Sequence, residues 1–300
     1  MEHVIYSPST PLKQFVTCFW MITGGDTGRK ERILPNGTSE LLINLCEDEI
    51  RTYDPSQPER VKRLSGAVVA GTYSRALICD ARQHRSMLGV HFRPGGALPF
   101  LGTPATALSD AHVSLDDLWG SRARALREQL CEATTARERF QLMEKALLDH
   151  AYPVPSRYSA IQAALRLFGP FGTGNSSRAV AQELGISQRQ FIDVFARQVG
   201  LTPKLLCRIL RFKQARILAE KVEGQNGEEP VRDWAQIAIA SGYCDQSHLI
   251  RDFENLSGLS PSEYIRELQP MRDPKHNRVP PHMKLGQIPE FLAARDLQDT

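Results

Sequence analysis

The sequence predicts an α+β chain of two domains, a β-barrel or sandwich with two helices followed by an all-helical domain with two helix-turn-helix units. Short runs rich in Val, Ile, Phe and Leu, bounded by turns, occupy roughly the first 110 residues and are typical of strands. From about residue 159 onward, apolar residues recur at helical spacing. The two prolines of YPVPSR, at 152–157, separate these patterns and mark a domain boundary.

The helical part contains two copies of one small unit. The first copy is AQELGISQRQFIDVFARQVGLTP at 181–203, and the second is IAIASGYCDQSHLIRDFENLSGLSP at 237–261. Each copy predicts a short helix, a glycine-containing turn, a second helix with apolar residues four apart, and a Gly-x-[Thr/Ser]-Pro exit. A tandem pair of helix-turn-helix units indicates binding to duplex DNA.

The domain boundaries follow from these patterns. We predict an N-terminal domain at 1–151, a DNA-binding domain at 156–268 with helix-turn-helix units at about 178–198 and 234–257, and a partly ordered tail at 269–300. A long helix, Leu205 to Lys221, links the two units. In the N-terminal domain one helix begins at a Ser114 cap and runs through Leu130, and the next runs from Thr135 through Leu147. Their apolar faces pack either on the barrel or in a homodimer.

Composition and charge limit the classes of protein. The chain has 300 residues, 41% hydrophobic and 24% charged, which is typical of a globular protein. No apolar run approaches the roughly 18 residues of a membrane span, and the start lacks a signal peptide, so we expect a cytoplasmic protein. Six scattered cysteines predict reduced thiols, with no disulfide framework, metal site or cofactor.

Positive charge is concentrated near the first unit. The net charge is +3, but the segment from Arg178 to Ile217 holds eight basic residues and two acidic ones. Such an excess neutralises DNA phosphates, although a solvated basic helix face would have the same composition.

The second helix of each unit is predicted to present polar side chains outward. Ser187 with Gln190 forms a helix cap, and Phe191 and Phe195 form the buried side. Arg bonds guanine, Gln pairs with adenine, and Ser bonds either base. The candidate DNA-contacting residues are Arg189, Gln190, Asp193, Arg197, Lys204, Gln246, Ser247, His248 and Arg251.

On these two motifs the segment from about 159 to 267 resembles the DNA-binding domain of the AraC/XylS transcription regulators. ILPNGTSELLINL at 33–45 and GVHFRPGGALPFLG at 89–102 resemble the sensor half of one branch of that family. The resemblance implies a bacterial regulator with a cupin-like N-terminal domain, and base contacts by Arg189, Asp193, Ser247 and Arg251. Asp193 is acidic where many relatives have Arg or Gln, and an acid can accept a hydrogen bond from cytosine.

Two questions stay open at the level of sequence. Trp20, Arg32, Phe92 and Arg93 are candidates for binding a small-molecule effector, or else core and surface residues. The alternative function is an enzyme, such as a DNA-repair alkyltransferase fused to this DNA-binding domain. Against an enzyme, His84 and His91 lack the close pairing of a metal cupin, and Cys46 lies in NLCEDE and not in the Pro-Cys-x-Arg context of the alkyltransferase. RNA polymerase is a further expected partner.

Overall fold

The computed structural model of the chain describes residues 2–24, 30–54, 57–154, 158–221 and 232–268. Within these ranges, strands and four α-helices form the N-terminal domain, and seven α-helices form the C-terminal domain. The predicted α+β class with an all-helical second domain is confirmed. The predicted tail at 269–300, the loop at 222–231 and part of the predicted domain boundary, 155–157, lie outside the described residues.

The strands of the N-terminal domain form two antiparallel sheets. The sheets have the strand orders β1-β2-β9-β4-β7-β10 and β3-β8-β5-β6. The strands are β1 (Glu2–Tyr6), β2 (Val16–Thr23), β3 (Lys30–Ile33), β4 (Glu40–Asn44), β5 (Glu49–Asp54), β6 (Gln57–Ser65), β7 (Ala67–Ala70), β8 (Leu77–Asp80), β9 (Ser86–Phe92) and β10 (His112–Ser114). The apolar runs that predict strands are found, within one residue at each end, as β2, β4, β7 and β9; in the sequence these runs are Val16 to Thr23, Leu41 to Leu45, Ala67 to Val69 and Met87 to Phe92.

Strand β2 shows how the sheet separates two apolar regions. Successive side chains of a strand point to opposite faces. Phe19 and Met21 therefore join the main core under the helices, whereas Cys18, Trp20 and Ile22 form a separate cluster on the other face. The second cluster lies on the side of the sheet that faces the four-stranded sheet, where a pocket is found.

The helices of the N-terminal domain are α1 (Leu98–Leu101), α2 (Leu115–Trp119), α3 (Ser121–Glu132) and α4 (Ala136–Asp149). The first predicted helix is wrong in one respect, because Gly120, at φ 62° and ψ −144°, divides it into α2 and α3. That backbone conformation is open to glycine and ends a helix. The predicted start of α4 is confirmed: Thr135 and Glu138 form a reciprocal capping box.

The apolar faces of α3 and α4 pack on the larger sheet. Leu126 and Leu147 are buried at 6% and 0% exposure in one core with Phe19 and Val90 of the sheet. Of the two alternatives for these helix faces, the homodimer contact is therefore wrong for Leu126 and Leu147, because the larger sheet of the same chain already covers them. Leu148, the next residue, is 43% exposed.

The C-terminal domain consists of α5 (Tyr158–Phe168), α6 (Ser177–Glu183), α7 (Gln188–Val199), α8 (Pro203–Lys221), α9 (Trp234–Ala240), α10 (Gln246–Ser257) and α11 (Pro261–Leu268). Helices α6 and α7 form the first helix-turn-helix unit, and α9 and α10 form the second, with α8 as the linker. Pro203 and Pro261 begin the helices that follow each unit, as predicted. Across the described ranges, no helix is long and apolar enough to cross a membrane.

Candidate nucleic-acid interface and ligand pocket

The first recognition helix, α7, is fixed at both ends by local sequence. The Ser187 hydroxyl accepts a hydrogen bond from the backbone N–H of Gln190 at 3.2 Å, which confirms Ser187 as the cap. The helix ends at Gly200, which has a left-handed φ of 85°. Phe191 and Phe195 are fully buried on its inner side.

The second recognition helix, α10, has the same length and the same kind of ends. Its cap is Asp245, whose carboxylate accepts from the backbone N–H of His248 at 2.7 Å. This cap was not predicted from the sequence, although Asp is one of the residues preferred at helix N-termini. Gly258, at φ 75°, ends the helix, and Leu249 and Phe253 are fully buried. The two helices are therefore structural equivalents.

The candidate DNA-contacting residues lie on the outer sides of these helices, with Lys204 in the first turn of α8. Eight of the nine are exposed, and His248 is half-buried with its ring edge-to-face on Tyr243 at 5.2 Å. In the described part of the chain, the side chains of Arg189, Asp193 and Arg251 have no hydrogen-bond or ion-pair partner. They are thus available to a ligand.

The linker helix α8 uses some of its basic residues internally. Arg216 is 5% exposed and its guanidinium bonds Glu220 and the Tyr264 hydroxyl, at 3.2 and 3.4 Å. Burial lowers the pKa of Lys213 to about 8, with a smaller effect from Arg216. The local basic excess counted from the sequence therefore overstates the charge available to phosphates, because part of it stabilises the domain.

A pocket of about 90 Å³ lies between the two sheets of the N-terminal domain. Its lining includes Trp20 and Glu40 from the larger sheet and Cys79 from the smaller one. The Tyr73 hydroxyl and His112 Nδ1 form a hydrogen bond at its wall. Burial, helped by the charge of Lys62, lowers the pKa of His112 to about 4, so its imidazole is neutral at pH 7.

Of the four effector-binding candidates, Trp20 lines this pocket and the other three do not. Phe92 is fully buried in the core and stacks on Phe100 at 5.9 Å. Arg93 is exposed, and its Nε donates to the Lys13 carbonyl at 3.0 Å. For these residues the sequence pattern could not separate a pocket from core and surface.

The fourth candidate, Arg32, bridges the two domains. Its Nη1 donates to the Ser257 carbonyl at 3.0 Å, at the end of α10. The backbone N–H of Ala76 donates to the Leu256 carbonyl at 2.7 Å, and the Ser109 hydroxyl donates to the Gly200 carbonyl at 2.5 Å. Both recognition helices therefore end against the N-terminal domain.

Two of the three residues that make these contacts, Arg32 and Ala76, are chain neighbours of residues that line the pocket. Arg32 precedes Ile33, and Ala76 precedes Leu77; Ile33 and Leu77 both line the pocket. On the same wall, a side chain on Gly37 would collide with Leu206 of α8, since its Cβ would lie 2.5 Å from Cδ1. The ILPNGT segment therefore lies between the pocket and the linker helix.

Comparison with known proteins identifies the class of the helical domain. A family model described as a helix-turn-helix domain matches residues 180–267, and one described as a domain of unknown function (DUF6597) matches residues 4–114. Among curated proteins, no relative matches. The helix-turn-helix match and the two equivalent recognition helices make this chain a DNA-binding regulator of transcription. The resemblance of its C-terminal domain to the AraC/XylS regulators is thereby confirmed.

Solved structures of ToxT from Vibrio cholerae are also similar. An apo ToxT variant is 12% identical, with a TM-score of 0.42, and the match covers 84% of this chain and 98% of that one. ToxT bound to an unsaturated fatty acid is 12% identical, with a TM-score of 0.41, and the match covers 89% and 96%.

Proposed function

We propose that α7 and α10 enter two successive major grooves of duplex DNA and that a small molecule in the N-terminal pocket regulates this binding. The observation that carries the DNA part is the equivalence of the two helices. Both have a side-chain cap, a left-handed glycine end, a buried aromatic anchor and an exposed polar side. Successive grooves on one face of DNA are about 34 Å apart, and one rigid linker helix would hold both helices in register.

Each exposed side chain has a proposed role. Arg189 and Arg251 suit bidentate bonds to guanine, Ser247 suits either base, and Asp193 suits the amino group of cytosine. Gln190 and Gln246, in the first turns, suit adenine, and His248 stands beside them. Arg197 and Lys204 suit phosphates, which position the protein without selecting sequence.

The test is a gel-shift titration of the full chain on DNA upstream of its own gene. Affinity should fall with salt at a log–log slope of roughly −0.9 for each phosphate contacted. Arg189→Ala and Arg251→Ala should each lose about 1–3 kcal/mol of discrimination between specific and random DNA. Arg124→Ala, an exposed arginine of α3, is the matched control and should change nothing. Salt-independent binding would contradict the proposal.

The regulatory part is supported by the contacts between the domains. Two segments that line the pocket also bond the end of α10 through Arg32 and Ala76, so a change in pocket shape would reach the second recognition helix. Arg32→Ala frees the end of α10 and should weaken specific DNA binding severalfold, because the helices are less preorganised. Arg93→Ala, whose guanidinium bonds within its own domain, is the control. Equal effects of both variants would oppose this coupling.

We also propose a homodimer and contact with RNA polymerase, with an interface other than Leu126 and Leu147. Against the alkyltransferase alternative, burial raises the pKa of Cys18 to about 12 and also raises that of Cys207. Such thiols are poor nucleophiles at neutral pH.

Sedimentation of the full chain with and without DNA tests the proposed homodimer. A monomer in both states contradicts the homodimer.

A further inference from the structure

We infer that the pocket of the N-terminal domain takes an uncharged, mainly apolar small molecule that carries an amide or hydroxyl group, and that it rejects carboxylates. This inference rests on the regulatory function proposed above and adds the chemical class of the effector. Three features carry it: the charges of the lining residues, an unpaired buried donor, and the shape of the space around Trp20.

The lining residues that the structure describes offer no cation to pair with an anionic ligand. Among the described residues that line the pocket, Glu40 is the one acidic side chain and none is Lys or Arg. His112 is neutral at pH 7, because its pKa is lowered to about 4. A carboxylate ligand would lose its hydration, meet no cation and face Glu40, and burial of an unpaired charge is costly.

A cation is also poorly served. The Glu40 carboxylate already bonds His91, with Oε1 2.8 Å from Nδ1. The Trp20 indole, which lines the same pocket, presents an N–H donor, and an ammonium group has no acceptor for it. An anion therefore lacks a cation to pair with, and a cation leaves the Trp20 N–H unpaired, so a neutral ligand is favoured over either ion.

The hydrogen-bonding groups of the pocket define the polar end of the ligand. Trp20 is 3% exposed, and its Nε1 has no hydrogen-bond partner in the described part of the chain. Buried donors in proteins are nearly always paired, so this N–H calls for an acceptor. Glu40 supplies a carboxylate acceptor nearby. A ligand that accepts from Trp20 and donates to Glu40 needs an amide or a hydroxyl group.

The strand register places these two groups on the same face of the larger sheet. Trp20 is paired with Gly89, which is paired with Leu42 on the next strand. Glu40 lies two residues from Leu42, and residues two apart on a strand share a face. One small molecule in the pocket can therefore meet both side chains.

The space favours a compact apolar body. A Cβ at Gly89 would lie 2.2 Å from Cε2 of Trp20. The indole of Trp20 therefore fits in its position because Gly89 has no side chain. The remaining cavity is about 90 Å³. An engineered apolar cavity of about 150 Å³ binds benzene, so this pocket suits a body of a few carbon atoms.

The experiment uses three probes of one shape and different charge: isobutyramide, isobutyrate and isobutyramidinium. Each is titrated into the full chain at pH 7 and followed by saturation-transfer NMR. We expect the amide to bind at least about tenfold more tightly than either ion, since the carboxylate meets no cation and the amidinium leaves the Trp20 N–H unpaired. Tighter or equal binding of isobutyrate or of isobutyramidinium overturns the inference, as does the absence of amide binding.

Two tryptophan variants test where the amide binds. Trp20→Phe keeps an aromatic ring but removes the donor, and it should weaken amide binding severalfold while leaving the thermal midpoint close to that of the wild type. Trp119→Phe is the matched control, because the Trp119 Nε1 already donates to the Phe100 carbonyl at 2.9 Å. It should leave amide binding unchanged. Wild-type amide binding by Trp20→Phe contradicts the inference, whereas a loss of DNA binding in the gel shift would concern the proposed function instead.

Discussion

Arg208 of the linker helix and Asp252 of the second recognition helix form an ion pair through a single carboxylate oxygen. The Nε and Nη2 atoms of Arg208 lie 3.0 and 2.6 Å from Asp252 Oδ1. Asp252 is 2% exposed. Because Asp252 is the chain neighbour of Arg251, the pair fixes the rotation of α10 that turns Arg251 outward.

Arg208→Ala should destabilise the C-terminal domain by about 3 kcal/mol or more. Removal of one partner leaves a buried carboxylate without its cation, and such losses are typically about 3–5 kcal/mol. Urea denaturation followed by circular dichroism measures the change. The double variant Arg208→Met with Asp252→Leu serves as the control, and it should recover most of the loss. A single variant as stable as the wild type would show that the pair contributes nothing.

Phe195→Ala and Phe253→Ala should each abolish DNA binding through loss of stability. Both rings are fully buried, and Phe253 packs edge-to-face on Phe212 at 4.8 Å. Truncation of a buried Phe costs about 3–5 kcal/mol. Phe171→Ala, at 41% exposure, is the control and should melt like the wild type. Unchanged melts for all three variants would refute the packing described for α7 and α10.

Leu147→Glu should unfold the N-terminal domain, whereas the neighbouring Leu148→Glu should be tolerated. Leu147 is fully buried in the main core between the larger sheet and helices α3 and α4, and Leu148 is 43% exposed. A carboxylate at the first position would be buried without a partner. Thermal melts with parallel sedimentation separate unfolding from dissociation. A folded monomer from Leu147→Glu would restore this leucine as an interface residue.

The N-terminal domain should lose stability as the pH falls from 6.5 to 4. Burial and, secondly, Lys62 lower the pKa of His112 from 6.5 to about 4, so the unfolded chain binds a proton in this window that the folded chain does not. Stability therefore rises with pH across the window and is lost toward acid, by about 3 kcal/mol at pH 4.

His112→Gln isolates this contribution from the other groups that titrate in acid. The free energy of unfolding of the wild type minus that of the variant should be constant above pH 7. This value should fall as the pH falls toward 4, because only the wild type loses the contribution of His112. Denaturation at several pH values measures it. A difference that does not depend on pH would show that His112 titrates normally.

Structural features that depend on local interactions could be predicted from the sequence. The cap at Ser187, the buried phenylalanines of α7 and the proline starts of α8 and α11 depend on residues within one or two helical turns. For the same reason the apolar strands β2 and β9 were predicted within one residue. The strand β6, QPERVKRLS, was missed because it lies at the edge of its sheet and most of its exposed residues are polar.

Structural features that depend on contacts between distant segments of the chain could not be predicted from the sequence. Arg216 has the charge of a phosphate-binding residue, but its burial depends on the packing of α11 against α8. Arg32 was grouped with pocket candidates, yet its partner at Ser257 lies 225 residues away in the chain. Trp20 could be placed at the pocket only through the register of three strands. Composition and spacing carry no information on these relationships.

The N-terminal domain provides hydrogen-bond donors to the ends of α7 and α10, and this affects how a chimeric regulator can be built. A chimera joins the helix-turn-helix units of one regulator to the sensor domain of another. In this chain the carbonyl groups at the ends of both recognition helices accept hydrogen bonds from the N-terminal domain, donated by Ser109, Ala76 and Arg32. A chimera without those donors would lose the hydrogen bonds at both helix ends. The unit that can be exchanged is therefore the helical domain together with the surface of the N-terminal domain that it contacts.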